Sequence, residues 1–243
     1  KDLPDKVEKD MWLNFSLEEK QLYLANLAQV NEQLQQQLEL EKVDSILILA
    51  MMTRLRQICC EPRMLYENYK GESTKFSMCL DLIETLKENG KKVLLFSSFT
   101  SIFDDFIEEF DRRGIKYHMI TGAVDKKKRK EEVDAFQNDD SNVFLISLKA
   151  GGTGLNLTKA QAVIHFDPWW NVSAQNQATD RAYRIGQTKN VLVYQLLVKN
   201  TIEEKIYEMQ KRKKEMSDLF VENSNGGIST LSKEELKDLF SMD

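Results

Sequence analysis

Two arginines in this sequence have the spacing and the chemistry to bind a phosphate group. Arg181 and Arg184 follow Gln177 at spacings of four and three residues, which on a helix places the three side chains on one stripe. A guanidinium group suits phosphate because its N–H donors form a planar fork. The adjoining stripe is small or apolar and would pack on a sheet: Ala174, Ala178, Ala182 and Ile185. We therefore predict a helix over residues 173–185 that holds both guanidinium groups rigidly; the alternative is a solvated face on which Asp180 pairs with the arginines.

A glycine-rich segment lies upstream of the arginines, at Gly151-Gly152-Thr153-Gly154. A loop with so few side chains allows backbone N–H groups to approach a phosphate or another backbone closely. It is not a dinucleotide-binding fingerprint, because Leu157 stands where the third glycine should be and the next strand follows too soon for the helix of that motif. For the glycines taken alone, a plain turn is an equal alternative.

Two adjacent tryptophans form the third unusual feature, in the segment Asp167-Pro168-Trp169-Trp170-Asn171. In an extended segment, neighbouring side chains point to opposite sides, so core packing accounts for only one of the pair. The other would be exposed or would contact a partner. An exposed aromatic ring on a loop is suited to stacking on nucleic acid.

Alternating strands and helices must position these residues. Apolar runs predict strands over 93–97, 116–120, 143–147, 162–166 and 191–197. Helical periodicity predicts helices over 16–60, 74–89, 102–113, 126–137 and 201–222, with a short helix after Ser232. We expect an α/β fold with a mainly parallel sheet covered by helices on both faces. Ligands of such sheets bind beyond the carboxyl ends of the strands, so the loops after Ser97, Ile120, Ser147 and Phe166 are the informative ones.

Composition limits the classes of function. The formal net charge is −5, which argues against a small, uniformly basic nucleic-acid binder, and 42% hydrophobic residues suffice for a sizeable core. Residues 142–200, however, hold 6 positive and 2 negative groups, a local charge of +4.

The three cysteines show no C-x-x-C pattern, so neither a zinc site nor a disulfide framework is indicated. No apolar run approaches the length of a membrane span, and no membrane partner is expected.

The sequence lacks a motif that would hold a nucleoside triphosphate by itself. It contains no G-x-x-x-x-G-K-[ST] loop, and no Asp-Glu pair follows an apolar strand. If the chain acts on a triphosphate, it supplies only half of the site.

Together these features resemble the second RecA-like lobe of a superfamily-two helicase. The amino-acid sequences of the motifs are more similar still to those of the SWI/SNF-type DNA translocases. Residues 146–157 resemble the fifth motif of that family, and residues 177–187, QATDRAYRIGQ, resemble the sixth. Weaker similarities lie in the fourth motif, in the segment after it and in the stretch entering the lobe: residues 93–100, 120–136 and 55–59. The resemblance implies a RecA-like fold and a two-lobed motor, and the compact lobe looks more like the bacterial members.

The resemblance also implies roles for individual residues. Arg181 and Arg184 would be the catalytic arginine fingers. The nucleotide side would be lined by Gln177, Gly151, Gly152 and Gly154. The phosphates of one DNA strand would be contacted by Ser97, Thr100, Thr121, Gly122, Ser147 and Lys149. Trp170 and Asn171 would lie against the duplex.

The expected organisation follows from the same resemblance. Residues 1–72 would be the helical tail of the inter-lobe insertion, 73–200 the RecA-like lobe, and 201–243 a bracing helix with a C-terminal tail. ATP and Mg²⁺ would be held mainly by a missing N-terminal RecA-like lobe of the same protein, and this fragment alone would be inactive. Further partners would be double-stranded DNA and a DNA-bound protein being remodelled. The location would be the cytoplasm or nucleoid in a bacterium and the nucleus in a eukaryote.

Two other functions remain open. The chain could be a non-catalytic nucleic-acid binding module that keeps the lobe fold, which the arginine pair disfavours because binding alone does not require it. It could also belong to an RNA or single-strand helicase of the same superfamily.

Overall fold

The computed structural model of the chain describes residues 3–151, 154–219 and 231–241. The chain divides into two compact units. The sheet unit comprises Lys1–Trp12 and Phe76–Leu197, and the helical unit comprises Leu13–Lys75 and Val198–Asp243. Among the described residues, no helix is both long and apolar enough to cross a membrane.

The described part of the sheet unit is built on a six-stranded sheet. The strands are β1 (Lys6–Leu13), β2 (Lys92–Ser97), β3 (Tyr117–Ile120), β4 (Val143–Ser147), β5 (Ala160–His165) and β6 (Val191–Val198), in the order β1-β6-β5-β2-β4-β3. Strands β2 to β6 pair in parallel, with Ser97 at the end of β2 level with Ser147 at the end of β4. The α/β fold with a mainly parallel sheet is therefore confirmed.

Helices connect the strands and cover the sheet. The helices of this unit are α3 (Thr74–Glu88), α4 (Ile102–Arg113), α5 (Lys126–Asn138), α6 (Leu148–Gly151) and α7 (Val172–Thr179). The central strands consist of continuous apolar runs because both of their faces are buried; residues 93–96 of β2, for example, have no exposed surface. α4 ends at Gly114, whose φ of 62° is the left-handed conformation that glycine adopts most readily.

The helical unit is formed by α1 (Leu17–Leu38), α2 (Ser45–Cys60), α8 (Ile202–Leu219) and α9 (Lys233–Leu239). Ser16 and Ser232 begin α1 and α9 with complete capping boxes, through Glu19 and Glu235. The helix predicted over 201–222 is present as α8 as far as Leu219, and residues 220–222 lie outside the described residues. Its bracing role stays a prediction.

Three consecutive residues at the end of the helical unit's first segment are each held by a different carboxylate. The Ser73 hydroxyl donates to Glu61, at 2.6 Å. The Thr74 amide donates to Glu19, at 2.8 Å. The Lys75 ammonium donates to both carboxylate oxygens of Glu203, at 2.5 and 2.7 Å. Neither side chain of the Lys75–Glu203 pair is exposed, and Glu203 also accepts the Val198 amide, at 2.9 Å.

Three predictions of secondary structure were wrong. β1 was not predicted, because it lies at the sheet edge and most of its side chains are exposed, so its sequence shows no apolar run. The helix predicted over 16–60 is interrupted, since Asp44 accepts the amides of Ile46 and Leu47 and begins α2 anew. The helix predicted over 173–185 ends at Thr179, for a reason that lies in the functional site.

Candidate functional site

The carboxyl ends of β2, β3, β4 and β5 bring most of the predicted site residues to one edge of the sheet. Ser97 and Ser147 are the last residues of β2 and β4, and Thr121 follows the last residue of β3. Thr100, Gly122 and Asn171 lie exposed in the adjoining loops. Asn171 also begins α7, because its side-chain Oδ1 accepts the Ala174 amide at 3.2 Å.

The loop after β2 is shaped by a residue that the sequence reasoning did not single out, Asp167. Its buried carboxylate oxygen Oδ1 accepts the Ser97 hydroxyl at 2.9 Å and the Ser98 amide at 3.0 Å. The Ser97 hydroxyl oxygen in turn accepts the Phe99 amide at 3.1 Å. The Ser97 side chain therefore shapes the loop that presents Thr100. An acidic residue directly after a buried strand was the available signal.

Ser147 differs from Ser97 in its hydrogen bonding. Its residue surface is only 3% exposed, and its hydroxyl has no hydrogen-bond partner among the described residues. A buried hydroxyl without a partner is uncommon and marks a group available to a ligand or water. The next helix, α6, carries Lys149.

The two tryptophans divide as expected. Trp169 is 4% exposed and its ring lies edge-on to Phe96 and His165, with centroid distances of 6.2 and 6.0 Å. Trp170 is partly exposed. Core packing thus accounts for Trp169, and contact between Trp170 and DNA stays a prediction.

His165 links the end of β5 to α7. Its Nε2 lies 2.9 Å from the Thr179 hydroxyl oxygen, and that hydroxyl donates to the Gln175 carbonyl at 3.3 Å. Burial lowers the pKa of His165 to about 4, so the ring is neutral near pH 7 and donates through Nε2. His165 therefore joins the last residue of β5 to the last residue of α7.

The arginines lie on a turn beyond α7, which corrects the prediction of a single helical stripe. In a continuing helix the Arg181 carbonyl would accept the Ile185 amide, but it accepts the Leu157 amide instead, at 3.0 Å. Ala178 and Ala182 are buried as predicted, whereas Ile185 is 91% exposed and does not pack on the sheet.

The segment from 180 to 187, here called the arginine turn, is held at its far end by Gln187. The Gln187 side chain is buried, and its Nε2 donates to the carbonyls of Ala160 and Ala182, at 2.9 and 3.0 Å. Its Oε1 accepts the amides of Thr188 and Lys189, each at 3.0 Å. Four hydrogen bonds thus fix a single side chain and, with it, the end of the turn. Gly186, just before Gln187, has a φ of 105°, a backbone conformation that residues other than glycine rarely adopt.

The arginine side chains themselves have free donors. Arg181 is partly buried, and its Nε has no hydrogen-bond partner among the described residues. Arg184 is exposed. Within the described part of the chain, no salt bridge joins Asp180 to either arginine. Two guanidinium groups on a fixed turn, one with an unsatisfied buried N–H, have the chemistry that suits an oxyanion.

The glycine-rich segment approaches the arginine turn through Leu157. Gly151 ends α6, and Gly154 has a φ of 53°, in the left-handed region. Gly152 lies outside the described residues. Gln177 is exposed on α7. In the described residues, no group of three or more histidine, cysteine or acidic side chains could hold a metal ion.

Comparisons with known proteins bear on the family and the fold of the chain. Residues 74–186 match the model of the helicase conserved C-terminal domain. This range therefore carries a helicase C-terminal domain. The RecA-like fold matches the SWI2/SNF2 ATPase core of Sulfolobus solfataricus in complex with double-stranded DNA, with a TM-score of 0.81, 31% identity, and coverage of 99% of this chain and 51% of that chain.

One further solved structure and one curated relative are also similar to this chain. The separate C-terminal domain of the Sulfolobus SWI2/SNF2 ATPase matches with a TM-score of 0.79 and 26% identity, over 98% of this chain and all of that one. An uncharacterised ATP-dependent helicase of Mycoplasma pneumoniae is 38% identical over 99% of this chain and 23% of its own length. The chain spans about a quarter of the length of three curated relatives that it matches, between 23 and 26%.

Proposed function

We propose that this domain is the second motor lobe of a DNA-stimulated ATPase that translocates on double-stranded DNA and thereby remodels or displaces bound protein. The observation that carries the proposal is the arginine turn, on which two guanidinium groups have no salt bridge to Asp180, as far as the structure describes the chain, and the Arg181 Nε is buried without a hydrogen-bond partner. Structural and DNA-binding roles alone do not require such a pair on one rigid turn.

In the proposed mechanism, Arg181 and Arg184 act as arginine fingers. ATP and Mg²⁺ are held mainly by an N-terminal RecA-like lobe, which supplies the phosphate loop that this sequence lacks. When the lobes close, the guanidinium groups neutralise the charge that develops on the transferred phosphoryl group; such fingers accelerate related reactions by about 10³–10⁵-fold. Gln177 and the segment from Gly151 to Gly154 line the nucleotide side.

The DNA side of the mechanism uses the neighbouring loops. The exposed Thr100 and Gly122 and the partly exposed Thr121, together with Ser147 and Lys149, contact the phosphates of one strand. The Ser97 hydroxyl already donates to Asp167, so Ser97 orients the Thr100 loop more than it binds phosphate. Trp170 and Asn171 lie against the duplex. In a bacterium this protein would act at the nucleoid, and in a eukaryote in the nucleus.

The first test uses the chain by itself. Because the phosphate loop is missing, we expect the purified chain to hydrolyse no ATP with or without DNA. Robust DNA-stimulated turnover by this chain would contradict the two-lobe assignment.

The second test uses the full-length protein with Arg184→Ala and, as a matched control, Arg112→Ala. Arg112 is an exposed arginine on α4 that pairs with Glu109, remote in sequence from the arginine turn. We expect Arg184→Ala to abolish turnover, Arg112→Ala to leave it unchanged, and both to retain DNA binding. Near-normal turnover of Arg184→Ala would refute the finger assignment.

A third comparison separates the remaining alternatives. Duplex DNA, single-stranded DNA and RNA are each tested for stimulation of the full-length ATPase. We expect duplex DNA to stimulate most. Stimulation by single strands or RNA would favour the other helicase class, and the absence of any turnover would favour a non-catalytic binding module.

A further inference from the structure

Ile185 is the residue of the arginine turn that the proposed chemistry does not use. It is 91% exposed, although Ala182 and Gln187 on either side of it are buried. A single exposed aliphatic residue is ordinary on a protein surface, so exposure alone indicates nothing. The position of Ile185 in the turn is what makes it informative.

The backbone on both sides of Ile185 is fixed. On one side, the Arg181 carbonyl is bonded to Leu157; on the other, Gln187 is held by four hydrogen bonds. The turn is therefore built to present an aliphatic side chain to the outside, directly next to Arg184.

We propose that Ile185 is an apolar anchor that docks on the N-terminal lobe when Arg184 reaches the nucleotide; this inference rests on the function proposed above. The chain covers 51% of the SWI2/SNF2 ATPase core that it resembles, so such a core contains a second part of similar length. Consecutive Cα atoms are about 3.8 Å apart, so a surface that binds a phosphate contacted by Arg184 also lies within reach of Ile185.

The chemistry of Ile185 favours this occupant over DNA. An aliphatic side chain offers nothing to a phosphate backbone, whereas it can fill an apolar depression on a protein surface. Its burial next to Arg184 would exclude water, which strengthens the attraction between a guanidinium group and a phosphate by lowering the local dielectric constant. Ile185 would thus be a positioning residue that sets how often the closed state forms.

The test uses the full-length protein with Ile185→Ala and Ile185→Asp, and Ile46→Ala as the matched control. Ile46 is 80% exposed on α2, in the helical unit, and so controls for the loss of an exposed isoleucine. We expect kcat with saturating duplex DNA to fall about 10-fold or more for Ile185→Asp and less for Ile185→Ala. DNA affinity without nucleotide and the thermal unfolding midpoint should stay unchanged.

A second readout reports closure itself. Fluorophores on the two lobes measure the closed fraction in the presence of a non-hydrolysable ATP analogue, and Ile185→Asp should lower that fraction. An unchanged kcat and closed fraction would overturn the proposal, as would an equal loss in Ile46→Ala. Loss of a dimer on Ile185→Asp, measured by light scattering, would assign the anchor to a second copy of the chain instead.

The two levels of the proposal fail in different ways. If Arg184→Ala keeps normal turnover, the finger mechanism is wrong and the anchor falls with it. If Arg184→Ala is inactive while Ile185→Asp is normal in both readouts, the motor assignment stands and only the anchor is wrong.

Discussion

The carboxylate of Asp167 binds the hydroxyl of Ser97 at 2.9 Å and thereby joins the segment after β5 to the end of β2. The loops that present Trp170 and Thr100 are consequently not independent of each other. One buried carboxylate oxygen, which also accepts the Ser98 amide, sets the start of both.

We therefore predict that Asp167→Ala weakens DNA binding by the full-length protein. The same change should lower the free energy of unfolding of the chain by about 1–3 kcal/mol, because the buried Ser97 hydroxyl and Ser98 amide lose their acceptor. DNA titration and urea denaturation measure the two effects.

Asp167→Asn is the matched control for that substitution. Asparagine keeps an oxygen at the position of Oδ1 and should retain most of the DNA affinity. If alanine and asparagine behave alike, then the loop is not held by this acceptor.

The tryptophan pair predicts two opposite phenotypes from neighbouring substitutions. Trp169→Ala removes a ring that is packed on Phe96 and His165 and should cost about 3–5 kcal/mol of stability. Trp170→Ala should cost much less stability but weaken duplex binding. Thermal unfolding and DNA titration of both variants decide this, and a Trp170→Ala protein with unaltered DNA affinity would remove Trp170 from the interface.

The two histidines predict opposite dependences of stability on pH. His118 lies between Glu132 and Asp139, at 2.6 and 2.7 Å. Burial lowers the pKa of His118, but the hydrogen bonds and charges of these carboxylates outweigh burial, and the net pKa is raised. Its stabilisation is complete below the unfolded pKa of about 6.5 and is lost as the pH rises through the raised folded value. The partly exposed carboxylates limit the gain to about 1 kcal/mol or less.

His165 acts in the other direction. Its folded pKa of about 4 lies below the unfolded value, so stability falls as the pH decreases from about 6.5 towards 4. Denaturation between pH 4 and 9 should show that His118→Gln differs most from the parent at acid pH, and that His165→Gln flattens the decline on the acid side. Parallel pH profiles for both variants and the parent would contradict the assignment.

The buried ion pair of Lys75 and Glu203 predicts a strong asymmetry between single and double substitutions. Lys75→Met removes the ammonium group that neutralises the buried carboxylate of Glu203, which should cost about 3–5 kcal/mol of stability. The double variant Lys75→Met with Glu203→Gln removes both charges and should recover part of the loss. Urea denaturation of the two variants tests this, and the interpretation fails if the double variant is the less stable of the two.

The sequence predicted the parallel core well because its strands are buried on both faces. The runs over 93–96 and 143–146 are apolar throughout, and they lie in β2 and β4. β1 could not be predicted in this way, since an edge strand such as Lys6–Leu13 carries charged, exposed side chains and depends on β6 for its pairing.

The candidate site could be located from the sequence, but its local geometry could not. The edge that holds Ser97, Ser147 and Trp170 follows from the rule for parallel sheets, whereas the contacts of the arginine turn at the start of β5 do not. The end of α7 depends on a hydrogen bond between Leu157 and Arg181, which are distant in sequence, and helical periodicity contains no information about such a contact. The structural roles of Asp167 and Gln187 were missed for the same reason.

The carboxylate of Glu203 has a consequence for how the chain bears tension. The backbone passes between the two units three times, after Trp12, after Lys75 and after Leu197. At the last two crossings, the Lys75 ammonium and the Val198 amide both bind Glu203. A pull along either crossing would reach the same side chain before it reached the rest of the helical unit. Glu203 would then be a mechanical anchor shared by these two crossings. The force that breaks its hydrogen bonds to Lys75 and Val198, measured by stretching single molecules, would set the load at which the two crossings begin to move apart.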